Sequence, residues 1–193
     1  MCDAHTLLIP APIAYPRRVW GILTGPHNLA RYAWTLARAT ARPLLDVGCS
    51  WGYESVLLAR AAPGIVALDA DPAAVQATAA IARANSVPLD ATPGDIYALP
   101  FPDGAFPCVC CSEVLEHLER PAEAMRELVR VCGGRLIVTV PAHGAMRNTV
   151  GHIQDFAPGD LRAMAEAAGA HVTEQTTAHP FQMLVAERGT LTP

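Results

Sequence analysis

The chain has 193 residues, 51% of them hydrophobic and 17% charged, with a formal net charge of -4. That balance suits one folded domain and excludes a disordered or fibrous chain. All 14 basic residues are arginine, which excludes a Schiff-base lysine, a P-loop lysine and a Tyr–Lys hydride-transfer pair.

In chain order, residues 1 to about 27 are rich in proline and aromatics and read as irregular. Asn28 is the predicted N-cap of a helix from about Leu29 to Ala39, with Leu29, Tyr32, Ala33 and Leu36 as its apolar stripe. LLDV (44–47) reads as a buried strand, GCSWG (48–52) as a turn and YESVLLARAA (53–62) as a helix. IVALD (65–69) is the second strand, and PAAVQATAAIARAN (72–85) a helix with Pro72 in its first turn. Leu89–Thr92 is a short strand and CVCCS (108–112) a buried one. PAEAMRELVRVC (121–132) is a helix that Gly133-Gly134 ends before the strand RLIVTV (135–140). PGDLRAMAEAAG (158–169) is a helix stopped at Gly169, and HVTEQT (171–176) and QMLVAE (182–187) are the last strands.

Strands and helices alternate, and the strands are continuous apolar runs. Together these predict an α/β fold, a mainly parallel sheet with helices on both faces. The TAHPF connection is too short for a parallel crossover, so the last two strands should be antiparallel. The expectation is a single domain over 1–193, with residues 1–40 as a helical cap or lid and 41–193 as the core. No apolar run is long enough to span a bilayer. The opening MCDAHTLLIPAPIAYPRR is broken by Pro10 and Pro12 and has no basic region ahead of it, so a cytoplasmic protein without a secretory leader is expected. Arg17-Arg18 is the only adjacent basic pair, which argues against nucleic acid as a partner. Cys108 and Cys111 form a CxxC by spacing, but positions three apart on a strand face opposite ways. The six cysteines therefore read as small buried hydrophobes, and no metal site is expected.

Ligands of such sheets bind beyond the carboxyl ends of the strands. After the first strand, Gly48 and Gly52 allow a tight turn and close backbone approach, followed by a helix N-terminus that suits an anion. An ordinary glycine turn would look the same. Asp69 ends the second strand 17 residues beyond Gly52, near the spacing of a ribose-binding acid. Either Asp69 or Asp71 could cap the next helix; Asp71 is assigned the cap and Asp69 the ribose. Asp95 is placed to accept from an adenine amino group and Ile96 to offer its N–H to a ring nitrogen, with a plain turn carboxylate as the other reading of Asp95. Glu113 and His117, four apart, share a face if their segment is helical.

DVGCSWG, ALDAD, GDIYALPFPDGAFPCVCCSEVLEHLERP and GGRLIVTVP, in this order, resemble a class I S-adenosylmethionine-dependent methyltransferase, in the generic small-molecule and quinone-biosynthesis-like subgroup. The resemblance spans about residues 43–187. It implies a Rossmann-like three-layer sandwich with a seven-stranded sheet whose last strand is antiparallel. It implies S-adenosyl-L-methionine as cofactor, with Asp46, Gly48, Cys49 and Gly52 around the methionine part and Asp69 on the ribose. Asp95 and Ile96 would hold the adenine, and Ser112 and Glu113 would line the pocket near the sulfonium. Two positions depart from the family pattern: Ser50 stands where glycine is usual, and Pro107 where aspartate is usual.

Such an enzyme aligns a nucleophile behind the methyl group and excludes water, and alignment can supply up to about 7–11 kcal/mol. A general base is needed only when the acceptor must lose a proton; His152 and His143 are the candidates. Tyr15, Trp20, His27, Tyr32 and Trp34 would form an aromatic lid over an apolar or aromatic small-molecule acceptor. Three other readings stand beside this one. They are a non-catalytic cofactor-binding partner subunit, a nicotinamide-dependent dehydrogenase, whose GxGxxG spacing is missing, and an aminopropyl transferase.

Overall fold

The computed structural model describes residues 25–145 and 149–189. Tyr15 and Trp20 of the expected lid lie outside the described residues. Helix α1 (Pro26–Arg38) begins two residues before the predicted Asn28 cap. Pro26 sets the start because its fixed φ is already helical and its missing N–H is not needed in the first turn. Strand β1 (Leu44–Val47), helix α2 (Tyr53–Ala61), β2 (Ile65–Asp69), α3 (Pro72–Ala84) and β3 (Asp90–Pro93) follow. Then come β4 (Phe106–Ser112), a 3-10 turn (Leu115–His117), α4 (Pro121–Val131), β5 (Cys132–Pro141), α5 (Asp160–Ala167), β6 (Ala170–Ala178) and β7 (Phe181–Arg188).

The seven strands form one sheet in the order β3-β2-β1-β4-β5-β7-β6. β1, β2, β3, β4 and β5 pair in parallel. β7 runs antiparallel to both β5 and β6, as the short connection requires. The order reverses between β1 and β4, so the crevice of the switch point opens beyond Val47 and Ser112. One face of the sheet packs Cys108 and Cys110 against Val56, Leu58 and Ile81 of α2 and α3. The other packs Val109 and Cys111 against Met125, Leu128 and Leu161 of α4 and α5. Cys108 and Cys111 thus diverge, and the five described cysteines are free and buried. None of the described helices is long and apolar enough to cross a membrane.

Gly133 and Gly134 lie inside β5 and do not end the preceding helix. A Cβ on Gly133 would stand 2.5 Å from the Gly104 carbonyl oxygen, and one on Gly134 would stand 2.6 Å from that of Pro107. These glycines therefore serve close backbone approach rather than helix termination. Pro107 sits at the register shift between Phe106 and Cys108, a ladder irregularity where proline is tolerated. A second shift, between Val172 and Glu174, interrupts β6 at the far edge of the sheet.

Candidate functional site

The turn after β1 is built on three left-handed residues: Gly48 at φ 77°, Ser50 at 48° and Gly52 at 76°. A Cβ on Gly48 would fall 2.3 Å from Val114 Cγ2. Ser50 carries a side chain in a conformation that favours glycine, and bonds on both sides hold it there. Its N–H donates to Asp69 Oδ2 at 2.7 Å, and its carbonyl accepts from Thr78 Oγ1 at 2.9 Å. Asp69 also accepts the Asp71 N–H at 2.9 Å, while Asp71 caps α3 by accepting from the Ala73 N–H at 2.9 Å. An ionised carboxylate has about four acceptor sites, so Asp69 retains capacity for further donors.

Two clefts meet over this turn. The first, on the β2 side, is lined by Val47, Leu68, Asp69, Gly94, Ile96, His117 and Leu118. The second, on the α1 side, is lined by Arg31, Tyr32, Asp46, Cys49, Trp51, Tyr53, Glu54 and Ser112. Gly48, Ser50 and Glu113 border both. Of the residues singled out in the sequence, Asp46, Gly48, Cys49, Asp69, Ile96, Ser112 and Glu113 therefore converge. Gly52 shapes the turn beneath them. Asp95 Oδ1 accepts the Tyr97 N–H at 2.9 Å, the plain turn role.

The α1-side cleft holds a dense set of charges. Asp46 is 3% exposed and accepts a hydrogen bond from Ser55 Oγ. Burial, and then the nearby charge of Glu54, push its carboxyl up to about 7. Burial likewise pushes Glu113 up to about 7; it is clipped to β5 through Thr139, whose hydroxyl donates to Glu113 Oε1 at 2.9 Å. Burial pushes the Cys49 thiol up to about 12, so it is no nucleophile near neutral pH. Arg31 donates to Glu54 Oε2 at 2.7 Å. Burial opposes its charge, but Glu54, Tyr32 and Glu113 together outweigh it and hold the guanidinium protonated. Its Nε is buried with no hydrogen-bond partner among the described residues. Arg31 and Glu54 were missed in the sequence because no spacing marks them; only the docking of α1 on α2 joins them.

The elevated carboxyl of Asp46 has a consequence for stability. Its folded-state value stands above the ordinary 3.8, so the folded chain binds the proton more tightly than the unfolded chain. The stabilisation is present at acid pH and is lost as pH rises from about 4 to about 7. The ligand-free protein is expected to melt at a lower temperature at pH 8 than at pH 6. Asp46→Asn, still able to accept from Ser55, should narrow that gap, as calorimetric melts would record. An unchanged gap would place the pH dependence elsewhere.

The histidines occupy the neighbouring region. His143 Nδ1 lies 3.2 Å from Asp155 Oδ1. His152 lines a recess behind β5 with Pro141, Ala142, Gln154 and Phe156. Its ring meets that of His117 edge-on at 4.7 Å, and burial, then His117, lower its pKa. Residues 115–117 make only a 3-10 turn and Glu113 is left-handed at φ 57°, so Glu113 and His117 do not share a helical face. They meet at the β2-side cleft nonetheless.

Residues 45–138 match the methyltransferase-domain family. A probable S-adenosylmethionine-dependent methyltransferase of Mycolicibacterium smegmatis is 31% identical over 145 residues, covering 71% of this chain and 55% of that protein. The chain thus spans about half the length of that curated relative. Magnesium protoporphyrin IX methyltransferase of Synechocystis, solved with bound S-adenosylhomocysteine, superposes with a TM-score of 0.73 at 18% identity. The match covers 94% of this chain and 91% of the other. The [4+2]-cyclase SpnF superposes with a TM-score of 0.74 at 22% identity, covering 84% and 81%. At these identities the two structures share the fold.

Proposed function

The domain at residues 45–138 belongs to the class I S-adenosylmethionine-dependent methyltransferases, and from that premise we propose that the chain transfers a methyl group from S-adenosylmethionine to a small-molecule acceptor by in-line displacement. The observation that carries this reading is the meeting of the two clefts at Gly48, Ser50 and Glu113, at the switch point of the sheet.

The residues present fit the cofactor. Asp69, with acceptor sites to spare, suits the two ribose hydroxyls, and the apolar wall of Leu68, Ile96 and Leu118 suits the adenine. At the α1 side, the buried Nε of Arg31, without a partner among the described residues, suits a carboxylate, and Asp46 and Glu54 suit an ammonium. Gly48 leaves room that a Cβ would fill. When bound, the cofactor supplies a methyl group made electrophilic by its sulfonium. The chain's own contribution is alignment and exclusion of water. Trp51, 54% exposed on the α1-side cleft, suits an apolar or aromatic acceptor. His152, neutral near physiological pH because its pKa is lowered, and His143 beside Asp155 are the proton acceptors this reading offers.

Titration calorimetry with S-adenosylmethionine and with NAD tests the reading. The first should bind and the second should not. Asp69→Ala should weaken binding by about 1.5–3 kcal/mol, the scale of a hydrogen bond to a charged group. Absence of S-adenosylmethionine binding in the unmodified chain would overturn the proposal.

A further inference from the structure

Glu116 is 1% exposed, and among the described residues neither of its carboxylate oxygens has a hydrogen-bond partner. Interiors rarely leave a carboxylate so unprovided, because removing it from water without a partner is costly. What lies beside it are two imidazoles. His117 Nε2 is 3.9 Å from Glu116 Oε1, and the His152 ring packs edge-on against that of His117. One ligand atom from each of the three residues lies within 4.8 Å of the other two.

The surroundings orient these groups. His117 Nδ1 lies 2.9 Å from the Gly151 carbonyl. A carbonyl only accepts, so Nδ1 carries the hydrogen and Nε2 the lone pair on the Glu116 side. That is the outer contact metal-bound histidines habitually make. The segment bearing His152 is pinned to the same turn: the N–H groups of Ile153 and Gln154 donate to the Glu116 carbonyl at 2.9 and 3.0 Å.

We propose that Glu116, His117 and His152 bind a divalent transition-metal ion of the zinc type, with a fourth position open to an oxygen or nitrogen of the methyl acceptor. Two imidazoles and one carboxylate are a zinc-type ligand set that leaves a coordination position open. Tetrahedral ligands at about 2.0–2.2 Å from the ion stand roughly 3.4 Å apart. The exposed His117 and half-buried His152 rings must therefore swing inward while Glu116 stays fixed. The ion would lie between the β2-side cleft, which His117 lines, and the recess that His152 lines. His152 then acts as a ligand and not as a proton acceptor. The ion site stands on its own geometry; its use by an acceptor rests on the methyltransferase reading.

Chelator-stripped protein titrated with Zn2+ is expected to take up one equivalent per chain. Glu116→Gln, which keeps shape and removes charge, and His152→Ala should each weaken uptake by at least about 10–100-fold, the loss known even for outer-shell partners. His171→Ala, on the exposed side of β6, should leave it unchanged. Co2+ in place of Zn2+ should give the visible bands of a four-coordinate ion, absent in Glu116→Gln. No stoichiometric uptake, or uptake undiminished in both ligand variants, would overturn the proposal. S-adenosylmethionine titrated into the stripped protein separates the two readings. If it binds while zinc does not, the metal site alone fails. If zinc binds while it does not, the ion site stands and its assignment to a methyl acceptor falls.

Discussion

Arg31→Met is expected to destabilise the ligand-free protein by about 3–5 kcal/mol, the cost of leaving one charge of a buried pair without its partner. The side chains of Arg31 and Glu54 are 6% and 11% exposed, and their 2.7 Å contact is a charged link between α1 and α2. With arginine gone, Glu54 keeps, among the described residues, a 3.2 Å bond from Ser112 Oγ and faces the already elevated Asp46. Guanidinium unfolding measures the loss. Adding Glu54→Gln removes the stranded charge while still accepting from Ser112, and should restore most of the stability. A double variant as unstable as Arg31→Met would assign the loss to the stacking of Arg31 on Tyr32, 4.5 Å from the ring centre, instead of to charge. In either variant S-adenosylmethionine binding should fall, because the proposed carboxylate contact is gone.

Gly52→Ala should cost about 2–5 kcal/mol, from two separable causes. A left-handed backbone burdens any residue with a Cβ by about 1–2 kcal/mol, and Gly52 sits at φ 76°. Its Cβ would also stand 2.7 Å from Thr78 Cγ2 and Oγ1 and 2.9 Å from Thr78 Cα, an overpacking worth about 1–3 kcal/mol. Thr78 cannot step aside, since it is fully buried on α3 and donates to Ser50. A Thr78→Ala background removes two of the three clashes, so there the penalty of Gly52→Ala should shrink toward the backbone part. An equal penalty in both backgrounds would mean that sterics at Thr78 are irrelevant.

How much of this was legible in the sequence depends on how local each cause is. Continuous apolar runs such as LLDV and IVALD, separated by helix-length segments, are local signals, and those strands fall where expected. The capping role of Asp71 was also legible, because capping involves residues two apart. Gly133-Gly134 misled because their reason is Gly104 and Pro107, distant in sequence and touching in space. Arg31 and Glu54 are 23 residues apart, on helices whose docking no periodicity announces. Glu116 sat inside a familiar-looking EVLEH run, yet its complete burial arises from a 3-10 turn that helical spacing does not predict. The fold alone leaves chemistry open, since a cyclase shares it; the charged residues of the clefts are what point to a particular cofactor.

The two margins of the sheet bear on how copies of this chain could meet. At one margin β3 offers four residues and finishes in Pro93, which has no N–H to give. At the other, β6 is kinked between Val172 and Glu174, and Arg38 of α1 reaches across to donate to Glu174 at 2.8 Å. Short length, proline, irregular pairing and a charge clamp are the means by which natural sheets refuse a neighbour's strand. Growth of the sheet from molecule to molecule is therefore obstructed at both margins, and the chain is guarded against fibre-like association while its ligand crevice stays at the centre.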